Sequence, residues 1–330
     1  IIGGPRDVGF DYFFGISGSL DMPPYCFIEN RHTVGIPDIP KKAYLPQQKN
    51  GFQTPDWDDS TVDRAFAERA VSWVETQHAE DPERPFFLYL TPAAPHRPCV
   101  PPDWARGKSR AGPRGDMVWV VDWLVGEIDQ TLERLNLTDN TLILVTSDNG
   151  ARPTDVDGET HGHKSRGDLR GYKADIWEGG HRVPFIARWP GRIEPGAVCE
   201  KTACLADLTA TFADITGTPL PTDAAEDSFT LLPLLTGELT HKPRPATVHH
   251  SVRGLFAIRD GEWKLCCGLG SGGPTDPRDP APKSGEPEGQ LYNMLADWQE
   301  QHNVYADHPD QVRKLAETLQ TFKDTGRSCR

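Results

Sequence analysis

The sequence predicts an α/β fold: a mostly parallel sheet sandwiched by helices over residues 1–240, then a small antiparallel sheet with one helix over 241–330. Three observations carry this. Short runs that are apolar on both faces alternate with amphipathic helical segments, the pattern of an open sheet covered by helices. Past residue 240 the runs shorten and a "DG" pair separates two of them, the mark of a hairpin. A last amphipathic stretch then has the length of one closing helix.

Taken in order, residues 1–57 are aromatic, proline-rich and without period, which predicts a loop layer over the core. The stretch TVDRAFAERAVSWVETQHAE puts Val62, Phe66, Ala70 and Trp73 at helical spacing. PFFLYLTP, at 85–92, is a short apolar run bounded by prolines and reads as a buried strand. DMVWVVDWLVGEIDQTLERL sets Met117, Val121, Leu124, Ile128, Leu132 and Leu135 on one helical face, with Asp116 suited to the N-terminal end. TLILVTSD and VPFIARWP are the next strands, and DLTATFADITG is a helix closed by Gly217. Further on, TVHHSV, GLFAIRDG and EWKLCCG are short strand runs, two of them turning at Asp260 and Gly261. A glycine- and proline-rich loop over 268–289 precedes the helix DHPDQVRKLAETLQTFKDTG.

Composition narrows the partners. With 48 acidic and 35 basic side chains the net charge is -13, which argues against nucleic acid or an anionic membrane. An anionic substrate has to be held by local positive groups. No apolar run approaches a membrane span. The seven cysteines contain no C-x-x-C pair, so neither a zinc cluster nor a disulfide framework is specified. IIGGPRDVGFDYFFG has no initiator methionine and no signal-peptide core, and reads as the middle of a longer chain.

Ligands collect at the carboxyl ends of strands in such sheets. Asp148 and Asn149, in SDNG, sit at one such end and His96, in TPAAPHRP, follows another. A carboxylate beside a carboxamide oxygen suits a hard cation such as calcium, and equally an Asx turn leaving a strand. His96 stands between prolines on a stiff backbone, placed to donate to an anion or protonate a leaving group, or simply exposed on a loop. Lys173 precedes an apolar, glycine-kinked stretch and can clamp an oxyanion. Glu178 and Arg182 flank Gly179 and Gly180 and read as an internal brace. His161 and His163 lack the spacing of a zinc protease and belong either to a substrate pocket or to the surface. GLGSGG matches a dinucleotide fingerprint in letters only, because PTDPRDPAP behind it cannot form the required helix. No G-x-S-x-G elbow occurs.

Together, GFDYFFG, FFLYLTPAAPHRP, TLILVTSDNG, GYKADIWEGGHRVPFIARWPG and IRDGEWKL resemble the type I sulfatases, formylglycine-dependent members of the alkaline phosphatase superfamily. The similarity runs from near residue 5 to the end. It implies an alkaline phosphatase-like core and a sulfate-ester substrate, small molecule or glycan, most like those of bacterial enzymes acting on sulfated carbohydrates. It also implies calcium (magnesium as the alternative) held by Asp148 and Asn149, sulfate bound by Lys173 and His96, and a leaving oxygen protonated with help from His96. A periplasmic or secreted location is expected from the family. The chain also departs from the pattern. The nucleophile motif C/S-x-P/A-x-R, the paired N-terminal aspartates of the calcium site and a G-K-W-H segment are all missing. The sequence therefore reads as the C-terminal portion of a sulfatase, inactive by itself. The alternatives are a phosphodiesterase or phosphonate hydrolase of the same superfamily, and a non-catalytic relative that binds anions or glycans.

Overall fold

The computed structural model describes residues 1–44, 48–152, 161–238, 240 and 244–329. The chain forms two compact units, Ile1–Thr138 with Thr154–His163, and Asp139–Pro153 with Lys164–Arg330.

In the first unit the N-terminal layer carries short ladders. β1 (Phe14–Gly15), β2 (Ile28–Glu29) and β3 (His32–Thr33) pair antiparallel in that order, and β4 (Ile39–Lys41) pairs with β5 (Gly51–Gln53). Leu20, Tyr25 and Trp57 from this layer pack on Val62 and Phe66 of α1 (Val62–Glu80). The buried stripe of α1 continues through Ala70 to Val74, a strict four-residue step, so Trp73 lies beside the stripe instead of in it. The second helix, α2, spans Gly112–Arg134 and starts earlier than the sequence suggested because Pro113 occupies the first turn, where its missing N–H costs nothing. Met117, Leu124 and Leu132 are buried as expected, with Val120 in place of Val121. Asp116 is not an N-terminal residue but lies inside the helix, buried, with its carboxylate accepting the loop N–H groups of Gly107 and Ser109 at 2.9 and 2.8 Å. Residues 85–92, expected as a buried strand, join no ladder among the described residues, and Tyr89 is 70% exposed.

In the second unit β6 (Ile143–Thr146) pairs antiparallel with β7 (Phe185–Arg188), registering Ile143 on Arg188 and Thr146 on Phe185. The parallel order expected here is not carried by these ladders; the parallel pairing among the described residues is the isolated bridge Tyr25–Gln53 in the first unit. Between the two strands lies the short helix α3 (Glu178–His181), and beyond them α4 (Asp207–Thr216) and α5 (Leu232–Leu235). Gly217 closes α4 at φ 63°, the left-handed conformation anticipated for it.

The C-terminal sheet follows the sequence closely. β8 (Thr247–His250), β9 (Phe256–Asp260), β10 (Trp263–Cys266) and β11 (Gln290–Asn293) pair antiparallel in the order β11-β10-β9-β8. Gly261 at φ 59° and Glu262 form the tight turn between β9 and β10. Strand alternation sorts the side chains onto two faces. Ile258, Leu265 and Leu291 pack on Leu315 and Leu319 of the closing helix α6 (Pro309–Thr325). Ala257, Cys266 and Tyr292 pack on the other face against Ile176 and Trp177.

Candidate functional site

The site is built from the segments that flank β6 and α3. After β6 the chain turns through Ser147, whose hydroxyl donates to the Asn149 carbonyl at 3.0 Å. Asp148 is exposed and Asn149 half-buried; the Asn149 amide nitrogen donates to the Gly150 carbonyl at 3.1 Å, which leaves its side-chain oxygen to accept elsewhere. Gly150 is a close-approach glycine: a Cβ there would stand 1.9 Å from the Gly179 carbonyl oxygen. Its N–H donates to the Gly180 carbonyl at 3.0 Å. The Lys173 N–H donates to the Ala151 carbonyl at 2.6 Å. The loop bearing Asp148 and Asn149 is thus stitched by backbone bonds to the segment bearing Lys173.

Lys173 rides on a turn the sequence did not reveal. Ala174 has φ 83°, a conformation unfavourable for a side chain with a Cβ. Asp175, fully buried, holds the turn: its carboxylate accepts the Tyr172 N–H at 2.8 Å, the Thr275 N–H at 3.2 Å and the Thr275 hydroxyl. Gly273 has to be glycine, since a Cβ would lie 2.4 Å from an Asp175 oxygen. The Lys173 side chain itself remains half-buried. A signal was present in K-A-D, an acid two residues after the lysine; its partner Thr275, far along the chain, was not readable.

The segment is anchored underneath by charge. The Glu178 carboxylate pairs with Lys264 Nζ at 3.0 Å and Arg259 at 3.2 Å, and Lys264 also reaches Glu300 at 2.8 Å. Glu178 is therefore an internal brace as expected, but its partners are Lys264 and Arg259; Arg182 is exposed. Burial opposes charge on Glu178, yet Lys264 and Arg259 hold its carboxyl below the usual range. Burial pushes the Glu300 carboxyl up, despite Lys264. Lys264, buried completely, keeps its ammonium because burial is outweighed by Glu178 and Glu300. Beside this network the rings of His181 and His249 lie 4.2 Å apart. Burial, reinforced by Lys264, pushes His181 down to about 4 and His249 well below its ordinary value.

In the first unit, His96 is half-buried on a loop whose Ala93 and Ala94 N–H groups donate to the buried Asp63 of α1 at 2.7 and 3.2 Å. Burial raises the Asp63 carboxyl despite those two bonds. His96 Nδ1 lies 2.7 Å from the Arg97 carbonyl and, since a carbonyl only accepts, carries the hydrogen of that contact. His161 and His163 are both exposed, and His161 packs against Gly112, where a Cβ would come 2.4 Å from its ring.

A calcium ion takes about six to eight oxygen ligands. The Asp148 carboxylate and the Asn149 side-chain oxygen fit it in kind and fall short of it in number. Among the described residues no group of three or more His, Cys, Asp or Glu side chains is placed to hold a metal.

Comparison with known proteins is consistent in direction. The family model described as Sulfatase matches residues 3–218. An N-acetylgalactosamine-6-O-sulfatase of Bacteroides thetaiotaomicron is 32% identical over 369 aligned residues, covering 96% of this chain and 69% of that protein. The steryl-sulfatase of Rattus norvegicus is 40% identical over 179 residues, covering 53% of this chain and 31% of that protein. The chain thus spans about a third of that relative and about two thirds of the bacterial one. A solved structure from work on glycosaminoglycan metabolism by Bacteroides thetaiotaomicron superposes with TM-score 0.82 at 30% identity, over 98% of this chain and 74% of that one. A Pseudoalteromonas sulfatase superposes with TM-score 0.77 at 23% identity, over 97% of this chain and 67% of that one, a likeness of fold. These structures share the alkaline phosphatase-like α/β class that the family resemblance implied.

Proposed function

The chain belongs to the sulfatase family, and from that premise we propose that it is the part of a sulfatase that grips the sulfate ester of a sulfated carbohydrate. The observation that supports this reading is the backbone bond from Lys173 to Ala151, which ties a cationic side chain to the loop carrying Asp148 and Asn149. An anion-binding ammonium and two oxygen donors for a cation then share one stitched framework, which a sulfuryl group with charge on its oxygens requires. The relative named for N-acetylgalactosamine-6-sulfate points to a sugar sulfate as the substrate class.

In this reading Lys173 binds a sulfate oxygen as a point charge, its position set by the Asp175 turn. His96, held through the Arg97 carbonyl and the Asp63-bound loop, is the group the family resemblance assigns to the leaving oxygen; with its Nδ1–H on that carbonyl, only a ring protonated at both nitrogens has a proton to deliver from the other. Asp148 and Asn149 would contribute to holding calcium, which when bound supplies Lewis-acid polarisation of the sulfate. The nucleophile is a formylglycine made from a C/S-x-P/A-x-R motif, which these 330 residues do not contain. Alone they bind and do not turn over.

Peptide mapping of the native gene product, by mass spectrometry, tests the nucleophile: a C/S-x-P/A-x-R peptide with formylglycine in its first position is expected. Metal-dependent hydrolysis of an aryl sulfate by the 330-residue chain, abolished by Lys173→Ala, would overturn the division of labour. In the native enzyme Asp148→Ala is expected to abolish metal-dependent activity with the fold retained.

A further inference from the structure

Residues 104–115, WARGKSRAGPRG, contain four basic side chains and no acid, in a chain whose net charge is -13. Local positive charge against so acidic a background calls for a reason. The loop is also built to hold its shape. Gly107 and Gly112 take φ 72° and 69°, which a residue with a Cβ resists. The buried Asp116 accepts the N–H groups of Gly107 and Ser109, and the Ser109 hydroxyl accepts the Ala111 N–H at 3.0 Å. Lys108 and Arg110 emerge exposed from this held backbone, as does Arg106, which pairs with the neighbouring Asp103 at 3.5 Å.

Aromatic rings stand next to the cations. The Trp104 ring lies 5.8 Å from that of Trp119 and 4.9 Å from that of Trp123, tilted by 58° and 57°. Trp104 and Trp119 remain 37% and 38% exposed. Lys108 Nζ sits 5.6 Å from the centre of the Trp119 ring. Adjoining them is an open concavity lined by Val100, Pro101, Arg106, Gly107 and Pro113. Two indoles left a third in water are an uncompensated loss unless a partner covers them, since large rings carry much of the energy of an interface.

We propose that Trp104 and Trp119, with Arg106, Lys108 and Arg110, form a binding subsite for a sulfated glycan. The pyranose ring has an apolar C–H face that stacks on an indole, and its sulfate groups lie at the rim, where guanidinium and ammonium groups can pair with them. The tilted rings offer a platform for separate sugar faces, and the cations stand at its edge. This rests on the reading that the substrate is a sulfated carbohydrate, and extends it to a second place, in the first unit, that takes sulfated sugars.

Binding of a chondroitin 6-sulfate oligosaccharide to the 330-residue chain, measured by isothermal titration calorimetry without turnover, tests this separately from the nucleophile. Desulfated chondroitin of the same length and a single-stranded DNA serve as comparison probes. Trp104→Ala and Trp119→Ala are each expected to weaken binding about tenfold, and the double variant Lys108→Ala/Arg110→Ala to weaken it and flatten its salt dependence. Trp104→Phe is expected to restore part of the affinity, which separates stacking from a folding defect. Undiminished binding by all three alanine variants, absence of binding by the unmodified chain, equal affinity for the desulfated sugar, or tighter binding of the DNA would each overturn the proposal. Formylglycine could be absent from the native protein and this subsite still bind; the reverse also holds.

Discussion

The C-terminal sheet and the β6–β7 ribbon use the same kind of sequence and end differently. Both are apolar runs bounded by turn residues. In the C-terminal sheet, every strand interior finds cover: α6 on one face, the Ile176–Trp177 segment on the other. The ribbon has two strands, and Ile186 of β7 is 62% exposed. A two-stranded pairing is marginal alone in water. The difference teaches that apolarity on both faces announces a strand's demand for cover and says nothing of who supplies it. The C-terminal sheet meets that demand from its own unit, with a helix close behind it in sequence.

That contrast can be broken hardest at the buried charges. Lys264→Met leaves the buried Glu300 without a cation and Glu178 with Arg259 alone, and is expected to cost about 3–5 kcal/mol of unfolding free energy in urea titration. Adding Glu178→Gln and Glu300→Gln to it is expected to recover part of the loss, because the penalty lies in the stranded carboxylates. Next in size is Leu315→Ala, which opens a cavity where α6 meets β9 and β10; about 2–5 kcal/mol is expected by the same measurement. A loss under 1 kcal/mol would show that the helix is dispensable cover.

Acid probes the same region more gently. His181 protonates at about 4 when folded and at about 6.5 when unfolded. The unfolded chain therefore binds more protons between those values, so the His181 contribution is intact above pH 6.5 and lost as pH falls toward 4. Lowering pH from 7 to 5 is expected to cost about 2 kcal/mol through this residue, and His181→Gln is expected to flatten that part of the stability profile. Glu178, Lys264, Arg259, His249 and His250 face or adjoin the pair and contribute in both proteins, so the difference between the two profiles isolates His181.

What the sequence could show divides along contact distance. The hairpin turn after β9 (announced by Asp260–Gly261 and formed one residue on, by Gly261 and Glu262), the Gly217 cap and the helical faces of α1 and α2 are local matters of backbone and period, and were legible. Glu178 was legible as a brace, but its partners Lys264 and Arg259 were not, since a spacing argument sees only Arg182. Asp148, Asn149 and Lys173 stood out by residue type, while Asp175 and Thr275, which set the Lys173 turn, could be joined only in three dimensions. Residues 85–92 read as a strand because Phe, Leu and Tyr favour one, yet a ladder requires a neighbour's N–H and C=O groups that no periodicity can supply.

The smallest expected effect is the sharpest test of the ribbon. Ile186 presents most of its side chain to solvent, so Ile186→Ser removes little buried apolar area. In the 330-residue chain it is expected to change unfolding free energy by no more than about 0.5 kcal/mol. The same substitution at Ile258, on the covered sheet, deletes a side chain that is 0% exposed, and is expected to cost several times more, about 3 kcal/mol. Equal losses at the two positions would mean that the ribbon carries cover in solution, and Ile186 would then belong with the core residues. A loss at Ile186 confined to the native gene product, and missing from the 330-residue chain, would place the covering surface outside these residues, and the ribbon would be an inner part of the larger sheet that its apolar faces predict.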